Sequence, residues 1–174
     1  RDRGGSLVHF GGDALALLFT GEHHEVRGVA TAAAMNKALK PHARMPTPSG
    51  VVKLGMSTRV WSGDVDLFLL GSRSRQLLIA GPAATGVTAL EGAASSGEVL
   101  LSARTAAALP ASGSRPWSAG AMMLARAPQA PAWTALGHES LDPAVLVDER
   151  AASEVVGRVA QGQSDGRGRL QLLA

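Results

Sequence analysis

Apolar and polar positions over residues 6–19 fall into two short arms, Ser6 to Phe10 and Ala14 to Phe19, joined by Gly11 and Gly12. Both arms are rich in Leu, Val and Phe, and glycine supplies the positive φ angles that tight hairpins demand, so the stretch predicts a β-hairpin with Asp13 at its corner. Thr20, Gly21 and Glu22 make a helix start, and Val26, Val29, Ala30 and Ala33 then recur at helical spacing until Pro41 stops the run. That helix presents a narrow, alanine-rich apolar face.

The prolines of PHARMPTPSG, residues 41–50, predict a loop, after which VVKLGMSTRVW and DVDLFLLG flank Ser62 and Gly63 as a second hairpin. QLLIAG, 76–81, predicts a strand leading into a helix that carries Ala83, Ala84, Val87, Leu90 and Ala94 at i, i+3, i+4 steps. GEVLLS, 97–102, predicts another strand and ARTAAAL a short helix. Past Pro110 the chain turns rich in Ala, Ser, Gly and Pro with no sustained period, which divides it into a domain over 1–110 and a linker or poorly ordered tail over 111–174. A weak helix over 143–160 carries Val145, Leu146, Val155 and Val156.

Composition narrows the function classes. With 174 residues, 45% of them apolar, there is material for one core of ordinary size. Three Trp, three Phe and no Tyr are too few rings for a single-stranded nucleic-acid platform, and the net charge of +3 is scattered rather than gathered into a stripe. No nucleic-acid partner is expected. Without cysteine, any metal must use carboxylate or imidazole, and the expected compartment is the cytoplasm. No apolar run approaches the roughly 18 to 20 residues that span a bilayer. The opening, RDRGGSLVHF, reads as an entry in mid-domain, with a strand at once and almost nothing before it to cover it.

VHFGGDALALLF, LGMSTRVWSGDV and IAGPAATGVTALEGAASSGEVLLS, in this order and spacing, resemble the catalytic domain of class III adenylate and guanylate cyclases over about residues 6–110. That family reads KxxGD at the first segment, GxxxG at the second, and GDxVNxAxRLE followed by GEIxxS at the third. The resemblance implies an α+β fold, a ferredoxin-like antiparallel sheet with helices packed on one face, incomplete at the N-terminus. It implies conversion of ATP or GTP to a cyclic 3′,5′-monophosphate and pyrophosphate, with two Mg²⁺ or Mn²⁺ ions held by two aspartates. The ions acidify the ribose 3′-hydroxyl and bind the leaving pyrophosphate, while a cationic side chain steadies charge on the reacting phosphorus. The family's site lies between two subunits, so the partner implied is a second copy or another cyclase domain.

Carried over residue by residue, Asp13 after Gly12 matches the second metal aspartate, whereas the first belongs upstream of Arg1. Asp2 is too close in sequence to replace it. His9 stands where the base-reading lysine belongs and Leu78 where its acidic partner belongs; leucine can pack on a base but cannot bond its edge. Thr85 matches the ribose-orienting asparagine and Ala89 the transition-state arginine, so no confident catalytic residue remains. Gly81 and Pro82 keep a turn where the family has Gly-Asp. The expectation is a cyclase homology domain intact in fold and impaired in chemistry, acting as a regulatory or dimerisation module.

Alternatives are an active cyclase lacking part of its site in this chain, a nucleotide sensor without turnover, and a diguanylate cyclase-like domain. Against the last, Ala14 and Leu15 stand where RYGGDEF requires Glu and Phe. The remaining polar features have plain readings. His23 and His24 are adjacent at a helix start, about 100° apart, and read as surface residues. Asp64 and Asp66 alternate onto one strand face and read as the solvated side of a hairpin. Met122 and Met123 read as small hydrophobic anchors.

Overall fold

The computed structural model describes residues 3–70, 76–90, 93–133 and 169–173. It is a mixed α and β architecture built on one seven-stranded sheet and two separate two-stranded hairpins. In chain order the elements are β1 (Gly5–Gly11), β2 (Ala14–Phe19), α1 (His24–Leu39), β3 (Arg44–Thr47), β4 (Gly50–Lys53), β5 (Ser57–Trp61) and β6 (Asp66–Leu70). There follow β7 (Gln76–Ala80), α2 (Pro82–Ala89), β8 (Val99–Leu101), α3 (Ala103–Ala107), β9 (Ser114–Pro116), β10 (Met122–Leu124) and β11 (Arg169–Leu173).

The large sheet runs β1-β2-β11-β5-β8-β10-β9. Its outer pairs, β1 with β2 and β10 with both β8 and β9, are antiparallel. The centre departs from the antiparallel expectation, because β2, β11, β5 and β8 all run parallel. Helices also lie on both faces instead of one. Val29 and Ala32 of α1 and Ala106 of α3 pack with Val60, Val99 and Leu101, while Leu100 packs with Leu90 and Trp61 on the opposite side. The physical reason is the unbroken burial of the central strands: Thr58, Arg59 and Val60 on β5 and Val99, Leu100 and Leu101 on β8 are all buried. A strand covered on both sides must find helices above and below, the usual condition of parallel sheets.

Local elements follow the sequence closely at several points. The first hairpin pairs Gly5 with Phe19 through Gly11 with Ala14, with an irregularity between Leu7 and His9. α1 begins at His24, just past the start expected over Thr20, Gly21 and Glu22, and gives way to a 3-10 turn at Lys40–His42 around Pro41. α2 ends at Ala89, short of Ala94. Ser102 caps α3, its hydroxyl accepting from the Thr105 N–H at 3.0 Å.

The middle of the chain is arranged differently from the expected single hairpin around Ser62 and Gly63. The proline loop contains β3, which pairs with β4 from Arg44 with Lys53 to Thr47 with Gly50. Pro46 is tolerated there because β3 pairs on one side only among the described residues. β5 enters the large sheet, and β6 turns back on β7 from Asp66 with Ala80 to Leu70 with Gln76. Residues expected in a linker also join the sheet, since β10 pairs Met122 with Leu101 and Met123 with Leu100. Met123 is buried in the second core cluster. The weak helix expected over 143–160 lies outside the described residues. No helix among the described residues is long and apolar enough to cross a membrane.

Candidate functional site

The first hairpin places Gly12 and Asp13 at its tip, both exposed, with Gly12 at φ 59°. Asp13 therefore reaches into solvent from a turn that glycine makes possible. His9 lies three residues back on β1, exposed and paired across to Ala16. Leu78 sits half-buried in the middle of β7, opposite Phe68 in a different sheet. Thr85 is exposed on α2, and Ala89 is the last residue of that helix. Gly81, in front of α2, has φ 101° and keeps the turn that the sequence assigned to it.

The described residues do not fit the two-ion group that the resemblance implies. Among them no cluster of three or more His, Asp or Glu side chains forms, and the tip supplies Asp13 alone. Mg²⁺ favours octahedral oxygen ligation and usually takes one or two carboxylates together with substrate phosphates.

Polar character is gathered elsewhere. A cavity of about 390 Å³ opens at the carboxyl end of β2, lined among others by Thr20, His24, Asp64, Leu67 and Arg104. His24 does not stand free there: Nδ1 lies 2.8 Å from the Gly21 carbonyl oxygen and Nε2 3.2 Å from Glu25 Oε1. His23, the residue before α1, takes a left-handed conformation at φ 54° and makes no side-chain cap. Asp64 is part of the turn before β6, its carbonyl accepting from Ala83 N–H at 3.3 Å, so only Asp66 of the two acids is a strand residue. A second cavity of about 420 Å³ lies between α1 and β10, lined among others by Asn36, Lys37, Glu98 and Met123. His9, Asp13, Leu78, Thr85 and Ala89 line neither cavity.

Two polar constructions escaped the sequence reading. Arg27, on the first turn of α1, is 1% exposed and binds three carbonyls: Nε donates to Glu22 O at 3.1 Å, Nη1 to Arg3 O at 3.1 Å, and Nη2 to Thr20 O. Its guanidinium also stands 5.9 Å from the Trp133 ring centre, and burial lowers its pKa from the ordinary value. Arg27 thus ties the entry to β1, the β2–α1 turn and the segment near residue 133 to one cation. The second construction is a buried hydroxyl chain, in which Thr105 Oγ1 lies 2.7 Å from both Ser62 Oγ and Ser102 Oγ. It joins the end of β5 to the start of α3. The signal for Arg27 was its place among Val26, Val29 and Ala30, on a face otherwise apolar; Ser102 gave the cap signal of a serine before a short helix.

No family model, curated protein or solved structure matches the chain.

Proposed function

We propose that the chain is a nucleotide cyclase-like domain, impaired in chemistry, that acts in cyclic-nucleotide signalling by pairing with itself or with another cyclase domain in the cytoplasm. The observation that carries this reading is a combination. The Gly12–Asp13 hairpin and the Val99–Leu101 strand belong to one sheet, as the resemblance requires, while His9, Leu78, Thr85 and Ala89 occupy the positions where it requires reactive groups. The parallel centre and the two helix-covered faces depart from the antiparallel, one-sided sheet of the ferredoxin-like expectation.

Chemistry supports impairment more strongly than it supports any particular partner. Loss of one preorganised charge stabiliser typically slows an enzyme by roughly 10²- to 10³-fold, and losses within one site are not simply additive. Ala89 has no charge to place on phosphorus, and Leu78 has no acceptor for a base. His9 offers at most an imidazole where a lysine ammonium would stand.

The test is incubation of the purified chain with ATP or GTP and Mn²⁺, followed by measurement of cyclic product and of bound nucleotide. Product at background level is the expected result. Turnover well above background overturns the reading, and saturable binding without product replaces it with a nucleotide sensor.

A further inference from the structure

The β3–β4 hairpin is built like half of an interface. Its strands pair only with each other among the described residues, so each presents an open edge. Met45, Val51 and Val52 are 44%, 56% and 46% exposed, and Leu54 just beyond is exposed as well. A two-stranded hairpin with no third strand and no covering helix is marginal in water. Its charges compound the difficulty. Arg44 stands directly across from Lys53, and neither makes an ion pair among the described residues. Like charges directly opposite in an antiparallel pair destabilise it, so this register is favoured when an anionic group lies alongside.

The β6–β7 hairpin is the matching half. It too is a two-stranded sheet, with Leu67 and Leu77 exposed, and it begins on an acid, Asp66, with Asp64 just before. The order of residues agrees from base to tip. On β3, Arg44 is followed by Met45; on β6, Asp66 is followed by Leu67. Because side chains alternate along a strand, an edge-on union in the register that sets Asp66 beside Arg44 or Lys53 puts all three on one face. Met45, Val52, Leu67 and Leu77 then share the other. Among the described residues the two hairpins of one chain belong to separate sheets, which leaves the edges of both open to another molecule.

We infer that the β3–β4 hairpin pairs edge to edge with the β6–β7 hairpin of a second copy of this chain. Reciprocal exchange across a two-fold axis uses both hairpins of both copies and closes the assembly as a dimer. A membrane surface fits less well, because the hairpin tip is Pro48-Ser49-Gly50 and the apolar residues stand behind it. The inference rests on the pairing role proposed above and supplies its surface.

Light scattering on the purified chain across a micromolar concentration series is the experiment, with circular dichroism as the control for folding. The expected result is a concentration-dependent dimer. Arg44→Glu with Lys53→Glu, and separately Asp66→Lys, each weaken it about tenfold or more through like-charge contacts, and mixing the two variants restores a heterodimer. Val51→Thr with Val52→Thr, at exposed positions, weakens the dimer without altering the spectrum and serves if a charge variant misfolds. A chain that stays monomeric overturns the inference, including one that instead sediments with phosphatidylserine vesicles. A dimer indifferent to all three variants overturns this interface and leaves the pairing role standing. Cyclic product overturns the impaired-cyclase reading and leaves the interface standing.

Discussion

The centre of the sheet and the tip of the first hairpin make opposite use of polar residues. On β5 and around α3, Thr58, Arg59, Ser62, Ser102 and Thr105 are all buried; the Arg59 Nε donates to Leu90 O at 2.9 Å, and the hydroxyls of Ser62, Ser102 and Thr105 bond one another. At the tip, Asp13 is exposed and His9 faces solvent nearby. Polar atoms in the interior are held in place by packing and by the cost of leaving them unbonded. Those at the tip have no such restraint and answer to whatever they meet. Asp13, which the resemblance makes a metal ligand, therefore sits where packing constrains a polar side chain less than it does at the centre of the sheet.

Substitutions can break or sharpen that contrast. Leu101→Ala, at a fully buried core position, should cost about 4 kcal/mol of unfolding free energy in urea titration. Arg27→Ala should cost about 3 kcal/mol, since the carbonyls of Arg3, Thr20 and Glu22 lose their common donor. Hydrogen exchange should rise at the β2–α1 turn in that variant and stay unchanged on β8. Ser102→Ala should cost about 1 to 2 kcal/mol by removing both the α3 cap and a member of the hydroxyl chain. Asp13→Asn should change the unfolding free energy least, by less than about 0.5 kcal/mol. A large effect at Asp13 would show that the tip is structurally engaged after all.

How far the sequence revealed the fold depends on the distance over which each signal acts. The first hairpin, α1, α2, β8 and α3 were legible because turn glycines, caps and apolar spacing are local. Strand pairing was not. Ser62 and Gly63 look like a hairpin turn, yet β5 leaves that turn for the interior because Thr58, Arg59 and Val60 are covered on both faces. Met122 and Met123, set among Ala, Gly and Pro, gave no periodic signal, and it is pairing with β8 on one side and β9 on the other that makes them strand residues. Burial of Arg59 was illegible for a related reason, and that of Arg27 was signalled only by its apolar neighbours, since arginine is mostly exposed and tertiary carbonyls reverse that preference. Of the candidate site, the sequence identified the tip with its aspartate and the separate strand and helix of Leu78 and Thr85, but not that the strand of Leu78 lies outside the large sheet.

One strand carries an implication for how the chain assembles itself. β11 lies between β2 and β5 and is bonded to both, although β8 precedes it in sequence by more than sixty residues. Closing so long a loop is entropically slow, and within the sheet β2 is bonded to β5 only through β11, although Phe19 and Val60 share one core cluster. A growing polypeptide should thus carry two half-sheets, one ending at β2 and the other beginning at β5, that share the core under α1 until β11 arrives to bond their edges together.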